Sequence, residues 1–289
     1  MINRKKKQNL SIDIFNKIGN LFEDKGWEIS EDFNDFSLFG RFCDLLSYLN
    51  SEQQDFIIEL TSKYYKVDFE EYIILISKIL NTIFKDTNDT ENLNTFYVMP
   101  LITEKDKFKI KSSTLVAYLF QSPLLKYNGK FSNINFKVRN ELTEKEINKI
   151  NESPKTKLFL VDDFIGTGET ALASFDFYVK QGINRNEITI ISLVSQEAGY
   201  LLLKGNNIDV HVGQLFKRSI SDYYQEKELK SKLQLMNSIE DKIRPSEDCK
   251  LGYKGSEALV TLVRTPNNTF PIYWLEKKSG HKAPFPRGG

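Results

Sequence analysis

The chain has 289 residues, of which 40% are hydrophobic and 12% aromatic, a composition that supports a folded core and excludes wholesale disorder. Forty basic and 39 acidic residues leave a formal net charge of +1, so no global basic field is available to hold nucleic acid. No apolar run reaches the roughly 18 residues that cross a bilayer, and the basic start lacks the apolar core of a signal peptide, so we expect a cytoplasmic protein without membrane contact.

The first ninety residues predict helices. Apolar side chains recur there at helical spacing in four stripes, over residues 11–22, 38–49, 51–64 and 68–83. Ser51 with Gln54 and Asp68 with Glu71 have the spacing of capping boxes, which would begin the last two helices. The polar stretch that follows, residues 85–92, has no apolar period and predicts a linker.

Beyond the linker, short apolar runs alternate with helical patterns. Strands are predicted over residues 96–102, 134–138, 157–161, 187–194 and 208–212, and helices over residues 112–121, 142–151, 170–181 and 196–205. This alternation predicts parallel strands joined by right-handed crossovers, hence an open α/β sheet. The remainder predicts a charged helix and two late strands, over residues 221–239, 258–263 and 269–274. We therefore expect a helical extension over residues 1–90 and an α/β domain over residues 91–289.

One segment, LFLVDDFIGTGET at residues 158–170, combines the features of a ligand site. Four apolar residues predict a buried strand that delivers Asp162 and Asp163 to its carboxyl end, where ligands bind in open α/β sheets. A Gly-Thr-Gly turn and Thr170 at a helix start follow, and such glycines, hydroxyls and helical amides form an anion cradle. Carboxylates beside a phosphate would repel it unless they contact ribose hydroxyls or Mg²⁺ on the same ligand. The segment therefore predicts a sugar-phosphate site.

The alternative reading is structural, with the two Asp side chains merely satisfying loop amides. A paired Asp directly after four apolar residues is costly unless it is hydrogen-bonded or binds something, which favours the binding role. The chain lacks the P-loop pattern, and Ala171 replaces the third glycine of the dinucleotide-binding spacing. Cys43 and Cys249 lie far apart in a chain with two histidines, which argues against a zinc site and predicts reduced thiols.

The segment resembles the ligand-binding signature of type I phosphoribosyltransferases, in which a hydrophobic strand, two acidic residues, two apolar residues and a Thr/Gly-rich loop follow one another. The resemblance implies that Asp162 and Asp163 contact the ribose hydroxyls of phosphoribosyl pyrophosphate, bound with Mg²⁺, and are the catalytic pair. It also implies that the 5′-phosphate site is lined by Gly166, Thr167, Gly168, Glu169 and Thr170. The order of elements from about residue 96 to residue 211 fits the open, mostly parallel sheet of that family.

Three positions depart from the family pattern. Gly166 stands where 6-oxopurine salvage enzymes carry an Asp, which disfavours that kind of purine salvage, and Phe164 is bulkier than the usual aliphatic residue. Glu169 adds negative charge near the phosphate, and its structural alternative is a first-turn residue favoured by the helix dipole. Two functions therefore stay open. One is a phosphoribosyltransferase-type glycosyltransferase; the other is a catalytically silent sensor of a nucleotide or phosphoribosyl compound.

The resemblance further implies a pyrophosphate loop after the first core strand, here residues 101–113. Lys111, Ser112 and Ser113 are the candidates, because an ammonium group and helix-start amides suit a pyrophosphate, and Arg139 after the next strand is a fourth. The alternative is a solvated lysine loop in which Ser112 is only the N-cap.

A polar group that leads into an aromatic run is the candidate acceptor site. Arg264, Asn267 and Asn268 precede Trp274, a mixture that recognises a flat ring by amide bonding and stacking. The alternative is an Asn-Asn turn between two strands with Trp274 in the core.

The loop, the helical extension and the Pro-Asn-Asn-Thr-Phe-Pro segment together resemble phosphoribosyltransferase-like proteins of bacterial conflict systems, including the retron type. This narrower resemblance implies an effector of an anti-phage defence system. The broad apolar stripes predict association through residues 10–85, with an operon-encoded protein partner or as a homo-oligomer. The alternative is a cap packed entirely within one chain.

Overall fold

The computed structural model describes residues 9–29, 37–85, 94–103, 111–276 and 282–287. The helices in these ranges are α1 (Ile12–Lys25), α2 (Leu38–Ser47), α3 (Ser51–Ser62), α4 (Phe69–Ile83), α5 (Ser112–Leu119), α6 (Pro123–Lys126), α7 (Glu144–Glu152), α8 (Glu169–Lys180), α9 (Glu197–Gly205) and α10 (Glu226–Ile243). The strands are β1 (Tyr65–Lys66), β2 (Asn94–Pro100), β3 (Ile134–Val138), β4 (Thr156–Ile165), β5 (Ile188–Gln196), β6 (Asp209–Phe216) and β7 (Val260–Thr261). No helix in the described ranges is both long and apolar enough to span a membrane. Most of the predicted linker over 85–92 lies outside these ranges.

The chain divides into two compact units, which differ from the division expected at residue 90. The sheet unit comprises residues 68–217, and the helical unit comprises residues 1–67 together with residues 218–289. Helix α4 belongs to the sheet unit because it packs closely on β6, where a Cβ added to Gly213 would lie 3.0 Å from Leu75 Cδ2. Lys78 Nζ also donates a hydrogen bond to the Gly213 carbonyl at 2.7 Å. Helical periodicity predicts that a helix has a buried face but does not identify the core that buries it.

The sheet unit contains the predicted open parallel sheet. Among the described residues it has five strands in the order β3-β2-β4-β5-β6, and each neighbouring pair is parallel. The predicted α/β class is therefore confirmed. In this order the strand sequence reverses direction between β2 and β4, and the crevice outside the carboxyl ends at such a switch point is where open α/β sheets bind ligands.

The two faces of β4 pack against different helices. Leu158 and Leu160 belong to a buried cluster with Ile150 of α7 and Phe175 of α8. Phe159, which points to the opposite face because side chains alternate along a strand, contacts Phe120 directly after α5. Helices α7 and α8 therefore cover one face of the sheet, and α5 covers the other.

Three local predictions are corrected by the structure. The N-cap of α3 is Asn50, whose side chain pairs reciprocally with Gln53, instead of Ser51 with Gln54. Strand β4 continues to Ile165, beyond the predicted end at residue 161. The late strand predicted over 269–274 is instead one bridge followed by a 3₁₀ turn, Pro271–Tyr273, because proline lacks an N–H and its fixed φ suits the first turn of a helix. The capping pair of α4 is confirmed, since Asp68 N–H donates to the Glu71 carboxylate at 2.8 Å.

The helical unit joins the two ends of the chain in one core. Strand β1 pairs in parallel with β7, with Tyr65 opposite Val260. Residues from both ends are buried together, and among them are Phe22, Phe42, Leu46, Ile57, Ile239, Phe270 and Tyr273. The apolar stripes of α1 to α3 are thus largely buried inside this unit. The contacts within one chain do not test the expected association through residues 10–85, which stays a prediction.

One carboxyl group of the helical unit is buried, and the described residues donate a hydrogen bond to only one of its two oxygens. Glu240 on α10 is 0% exposed, and one of its oxygens accepts a hydrogen bond from Leu251 N–H at 2.9 Å. The other oxygen has no hydrogen-bond partner among the described residues. Burial raises the pKa of Glu240 from 4.5 to about 7. The carboxyl is therefore neutral in the folded unit below about pH 7.

Replacing Glu240 is expected to change how stability depends on pH. The folded-state pKa is raised, so the stability that the neutral carboxyl contributes is present below about pH 4.5 and lost as the pH rises through about 7. The Glu240→Gln variant should lack this loss, which amounts to about 3 kcal/mol between pH 4.5 and pH 8. Urea unfolding at the two pH values measures it. The exposed Glu247→Gln is the control, and equal pH dependence in all three proteins would contradict the assignment.

Candidate functional site

The acidic pair lies where the switch point of the sheet predicts a ligand. Asp162 and Asp163 lie near the carboxyl end of β4, the strand between β2 and β5, and Asp162 lies opposite Ser192 of β5. Pro100, the last residue of β2, is in register with Val161, and Leu101 N–H donates to the Val161 carbonyl at 2.8 Å. The chain therefore leaves β2 directly beside the two carboxyl groups.

The two carboxyl groups have different surroundings. Asp163 is only 4% exposed and is held from two helices. Ser112 Oγ of α5 donates to its Oδ1 at 2.7 Å, and Tyr72 OH of α4 donates to its Oδ2 at 3.4 Å. Its own backbone N–H donates to Asp162 Oδ1 at 2.9 Å. Asp163 is thus anchored in the protein, and Asp162, which is half-buried, is the member better placed to face a ligand.

The pair holds a proton more tightly than ordinary carboxylates do. Burial raises the pKa of Asp162 well above its usual range, and the charge of Asp163 raises it further, while the ammonium group of Lys111 lowers it. Burial also raises the pKa of Asp163, opposed by the hydrogen bond from Ser112. A ligand that supplies hydroxyl donors or a cation would favour the ionised form of the pair.

The loop after β4 is shaped by a backbone contact between glycines. Gly168 has φ +82°, a conformation that L side chains rarely adopt, and a Cβ there would lie 2.9 Å from the Gly199 carbonyl oxygen. A Cβ on Gly199, in the first turn of α9, would overlap the Gly166 carbonyl oxygen and lie 3.0 Å from the Gly168 nitrogen. The loop therefore rests on α9 at a distance that only glycine allows.

Helix α8 begins at the end of this loop. Its N-cap is Gly168, which has no side chain to bond the first-turn amides, and the first four N–H groups of a helix have no partner within it. Thr167 is half-buried, and Glu169 and Thr170 are exposed at this end. The predicted phosphate loop is therefore a turn of small residues with helix-start amides, the arrangement that binds anions.

The profile of the PRTase-CE family matches residues 5–287. The chain belongs to this family. The match confirms the resemblance to phosphoribosyltransferases, and it extends over the first ninety residues, which the motif alone left outside.

Two solved structures, both of phosphoribosyltransferases, are similar to this PRTase-CE protein. Orotate phosphoribosyltransferase from Aeropyrum pernix is 16% identical, with 58% of this chain and 77% of that chain covered and a TM-score of 0.28. APRTase from Giardia lamblia complexed with 9-deazaadenine is 15% identical, with 49% and 79% covered and a TM-score of 0.29. No match was found among the curated proteins. At these identities and TM-scores the two structures do not support any assignment of site residues. The assignment depends on the geometry of this chain alone.

Two of the predicted pyrophosphate residues of this PRTase-CE protein lie at the acidic pair. Lys111 is the N-cap of α5, and its charge acts on Asp162. Ser112 is the first residue of α5 and not its N-cap, and its hydroxyl bonds Asp163. Ser113 Oγ is buried without a hydrogen-bond partner among the described residues. Residues 104–110 of the predicted loop lie outside those residues.

The other predicted contacts have structural partners of their own. Arg139 Nε pairs with Glu146 Oε1 at 2.9 Å, and Arg139 follows β3, which is separated from β4 by β2. In the helical unit, Asn267 and Asn268 form a turn, and the Asn267 carbonyl accepts from Tyr253 N–H at 2.9 Å. The roles of these residues in ligand binding stay predictions.

The remaining acceptor candidates are also engaged within the helical unit. Arg264 Nε donates to the Arg287 carbonyl at 3.3 Å, and Trp274 Nε1 donates to the Thr269 carbonyl at 2.7 Å. The Asn268 carbonyl accepts from Ser256 Oγ at 2.9 Å. The turn of the structural alternative is present, but no second strand follows it within residues 269–276 and 282–287.

Two residues at the site were missed by the sequence analysis. Tyr72 occupies an apolar stripe that was assigned to the helical extension, so its hydroxyl was read as part of another domain. Gly199 stands in the first turn of a predicted helix, where glycine costs about 1 kcal/mol relative to alanine. A glycine in a helix often marks a close backbone approach, so this cost is the sequence signal that could have identified Gly199.

The site fits a metal ion that arrives with a ligand. No group of three His, Cys, Asp or Glu side chains that would hold a metal occurs within the part of the chain that the structure describes. Mg²⁺ is commonly bound through one or two carboxylates and the phosphates of a substrate. The half-buried carboxyl of Asp162 beside an anion-binding loop suits that arrangement.

Proposed function

We propose that this protein binds phosphoribosyl pyrophosphate with Mg²⁺ at the carboxyl end of β4 and breaks the bond between ribose C1 and pyrophosphate. Pyrophosphate leaves, and the phosphoribosyl group passes to an acceptor or to water. One observation carries the proposal: an acidic pair at the switch point, with Asp163 buried and Asp162 half-buried, stands between a lysine and a glycine loop at a helix start. Membership of the PRTase-CE family supports phosphoribosyl chemistry.

Each part of the site has a defined role in this proposal. Asp162 accepts hydrogen bonds from the ribose hydroxyls, and Asp163 positions it while bound to Ser112 and Tyr72. The loop 166–170 and the first amides of α8 bind the 5′-phosphate. Lys111 offsets the charge of the leaving pyrophosphate as the ribose becomes oxocarbenium-like. When bound, Mg²⁺ adds charge neutralisation, and Asp162 is the residue that would hold it.

A second candidate function is sensing without turnover. Gly166 supplies no carboxyl group at the position where 6-oxopurine salvage enzymes carry an Asp, and both oxygens of Asp163 already accept hydrogen bonds. The same pocket would then report ligand binding to a partner.

Calorimetry and pyrophosphate release with the full chain test both candidates. Binding of Mg²⁺-phosphoribosyl pyrophosphate with release of pyrophosphate supports the enzyme. Tight binding without release, also in the presence of free nucleobases as acceptors, supports the sensor. Absence of binding would contradict both. The anti-phage role stays a prediction, for which a plaque assay with wild-type and Asp162→Asn operons is the test.

The threonines of the loop provide a specific prediction. Thr167→Ala and Thr170→Ala should each weaken phosphoribosyl pyrophosphate binding about tenfold or more, because a hydrogen bond to a charged group is worth roughly 1.5–3 kcal/mol. Calorimetry measures the effect, and Thr82→Ala on the exposed part of α4 is the control. Effects below twofold for both loop threonines would place the phosphate elsewhere.

A further inference from the structure

The segment that follows α10 in the helical unit concentrates strained backbone. Six non-glycine residues of the described chain have positive φ, and four of them lie in this segment: Arg244, Leu251, Lys254 and Glu257, with φ between +50° and +55°. Bulky L residues rarely adopt this conformation, and they persist in it only where the surrounding contacts hold them. The contacts that hold residues 244–257 are therefore under load.

The later part of the segment is fastened to the turn at Asn267 and Asn268. Tyr253 N–H donates to the Asn267 carbonyl at 2.9 Å, and Ala258 N–H donates to the Asn268 carbonyl at 3.1 Å. A Cβ on Gly252 would overlap the Asn268 carbonyl oxygen, so the two backbones are in close contact. Residues 252–258 are thus held by backbone that belongs to another part of the unit.

The earlier part has weaker ties. Among the described residues, the backbone hydrogen bonds of residues 245–250 close within this stretch, from Cys249 N–H to the Ser246 carbonyl at 2.9 Å and from Lys250 N–H to the Glu247 carbonyl at 3.2 Å. The next residue, Leu251, is held from outside by the carboxyl of Glu240 on α10, which accepts its N–H at 2.9 Å.

Two buried carboxyl groups hold the segment, and they differ in how fully they are bonded. Glu257 is 2% exposed and accepts hydrogen bonds from Ile220 N–H at 2.9 Å, from Ser221 N–H at 2.7 Å and from the Ser221 hydroxyl, so both of its oxygens are used. Glu240 is 0% exposed, and its oxygen Oε1 has no partner among the described residues. Leu251 is therefore held by the carboxyl that is only half satisfied.

The charges around Glu240 do not offset its burial. Burial raises the pKa of Glu240 to about 7, Lys250 lowers it and Asp241 raises it, and Lys250 is shared with Glu247 at 2.9 Å. The other titratable or charged side chains that α10, the segment and the elements packed on α10 contribute here are Lys242, Arg244, Asp248, Cys249, Tyr253, Lys254, Glu257, Glu52, Asp55, Glu59 and Tyr273. Of these, Glu59 is paired with Lys232 at 2.7 Å, two turns before Glu240 on α10.

A charge on Glu240 would favour movement of the segment for two reasons. An ionised carboxyl buried with one oxygen unbonded is costly, so the charged group gains stability by reaching water. Leu251, at φ +55°, gains stability when it is released from the left-handed conformation. Both changes break the same hydrogen bond, between Leu251 N–H and Glu240.

We propose that residues 245–251 form a latch over the end of α10, which is closed while Glu240 carries a proton and opens locally when Glu240 loses it. Leu251 packs against the core cluster that contains Ile239 and Ile243 of α10, so opening uncovers part of this cluster. The latch belongs to the helical unit, and it does not depend on the function proposed for the sheet unit.

Amide hydrogen exchange of the full chain over a pH series tests the latch. After correction for the intrinsic exchange rate, the protection of the Leu251 amide should fall about tenfold from pH 6 to pH 8. The closed form keeps the raised pKa of Glu240, so its stability relative to the open form is lost as the pH rises through about 7. Glu240→Gln should change less than twofold over this range. Glu228→Gln, which alters an exposed carboxyl on the same helix, should behave as the wild type does.

Low concentrations of urea separate local opening from unfolding of the whole unit, because a local opening exposes little surface. Exchange at Leu251 should not respond to urea, whereas exchange at the buried Ile57 of α3 should accelerate. The proposal is overturned by Leu251 protection that is independent of pH in the wild type, by a pH dependence that persists in Glu240→Gln, or by equal rates and urea responses at Leu251 and Ile57. The wild-type series decides alone if Glu240→Gln does not fold.

Discussion

Asp162→Asn should weaken binding of Mg²⁺-phosphoribosyl pyrophosphate at least a hundredfold, and the double variant Asp162→Asn/Asp163→Asn should abolish it. Two hydrogen bonds to a charged acceptor, each worth roughly 1.5–3 kcal/mol, account for a loss of this size. Calorimetry at pH 8 is the measurement. Asp176→Asn, an exposed carboxyl on α8, is the matched control and should bind as the wild type does.

The single Asp162 variant should not be less stable than the wild type. Because the folded-state pKa of Asp162 is raised above 3.8, ionisation of this half-buried carboxyl lowers stability as the pH rises through the raised pKa, and a neutral amide avoids this loss. Thermal unfolding at pH 8 compares the two proteins. Unchanged ligand affinity, or lost affinity together with an unfolded variant, would contradict the assignment of Asp162 to ligand binding.

Gly199→Ala should weaken phosphoribosyl pyrophosphate binding at least tenfold and lower the melting temperature, although residue 199 is not assigned any ligand contact. The new Cβ would overlap the Gly166 carbonyl oxygen and lie 2.9 Å from Ile165 Cγ2, so the loop must move away from α9. Backbone cannot give way as a flexible side chain does, and displaced amides no longer match the phosphate.

Gly205→Ala is the matched control for this prediction. Gly205 lies in the same helix, and a Cβ there would have nothing within 4 Å. Alanine is favoured over glycine in helices by about 1 kcal/mol, so this variant should be unchanged or more stable. Equal behaviour of the two variants in calorimetry and thermal unfolding would show that the Gly166–Gly199 contact does not hold the loop.

The sheet and its acidic motif were predictable because their signals are local. Apolar runs of strand length alternate with helical patterns, and β3 was predicted with the bounds that the structure gives it. The pair at 162–163 follows four buried apolar residues, a pattern that is costly without a partner. Both features depend only on residues that are close in sequence, and a sequence pattern contains that information directly.

The surroundings of the pair depend on residues far along the chain, and these were not predictable. Tyr72 reaches Asp163 across 91 positions, from a helix whose stripe fits any apolar surface. The join between β1 and β7 likewise connects Tyr65 to Val260, and each strand is only two residues long. Such short strands carry no periodic signal, and their pairing is decided by the core around them.

The helical unit is built from two separated stretches of chain, and this has a consequence for synthesis. A ribosome that adds about 5–20 residues per second needs roughly 8 to 30 seconds to pass through residues 68–217. During that interval α1 to α3 have emerged without α10, β7 and Phe270, which complete their core. The sheet unit is contiguous and is free to fold first. Helices α1 to α3 therefore wait, with apolar faces uncovered, until residues 218–289 have been made, and a nonsense mutation between the two stretches would leave their core incomplete.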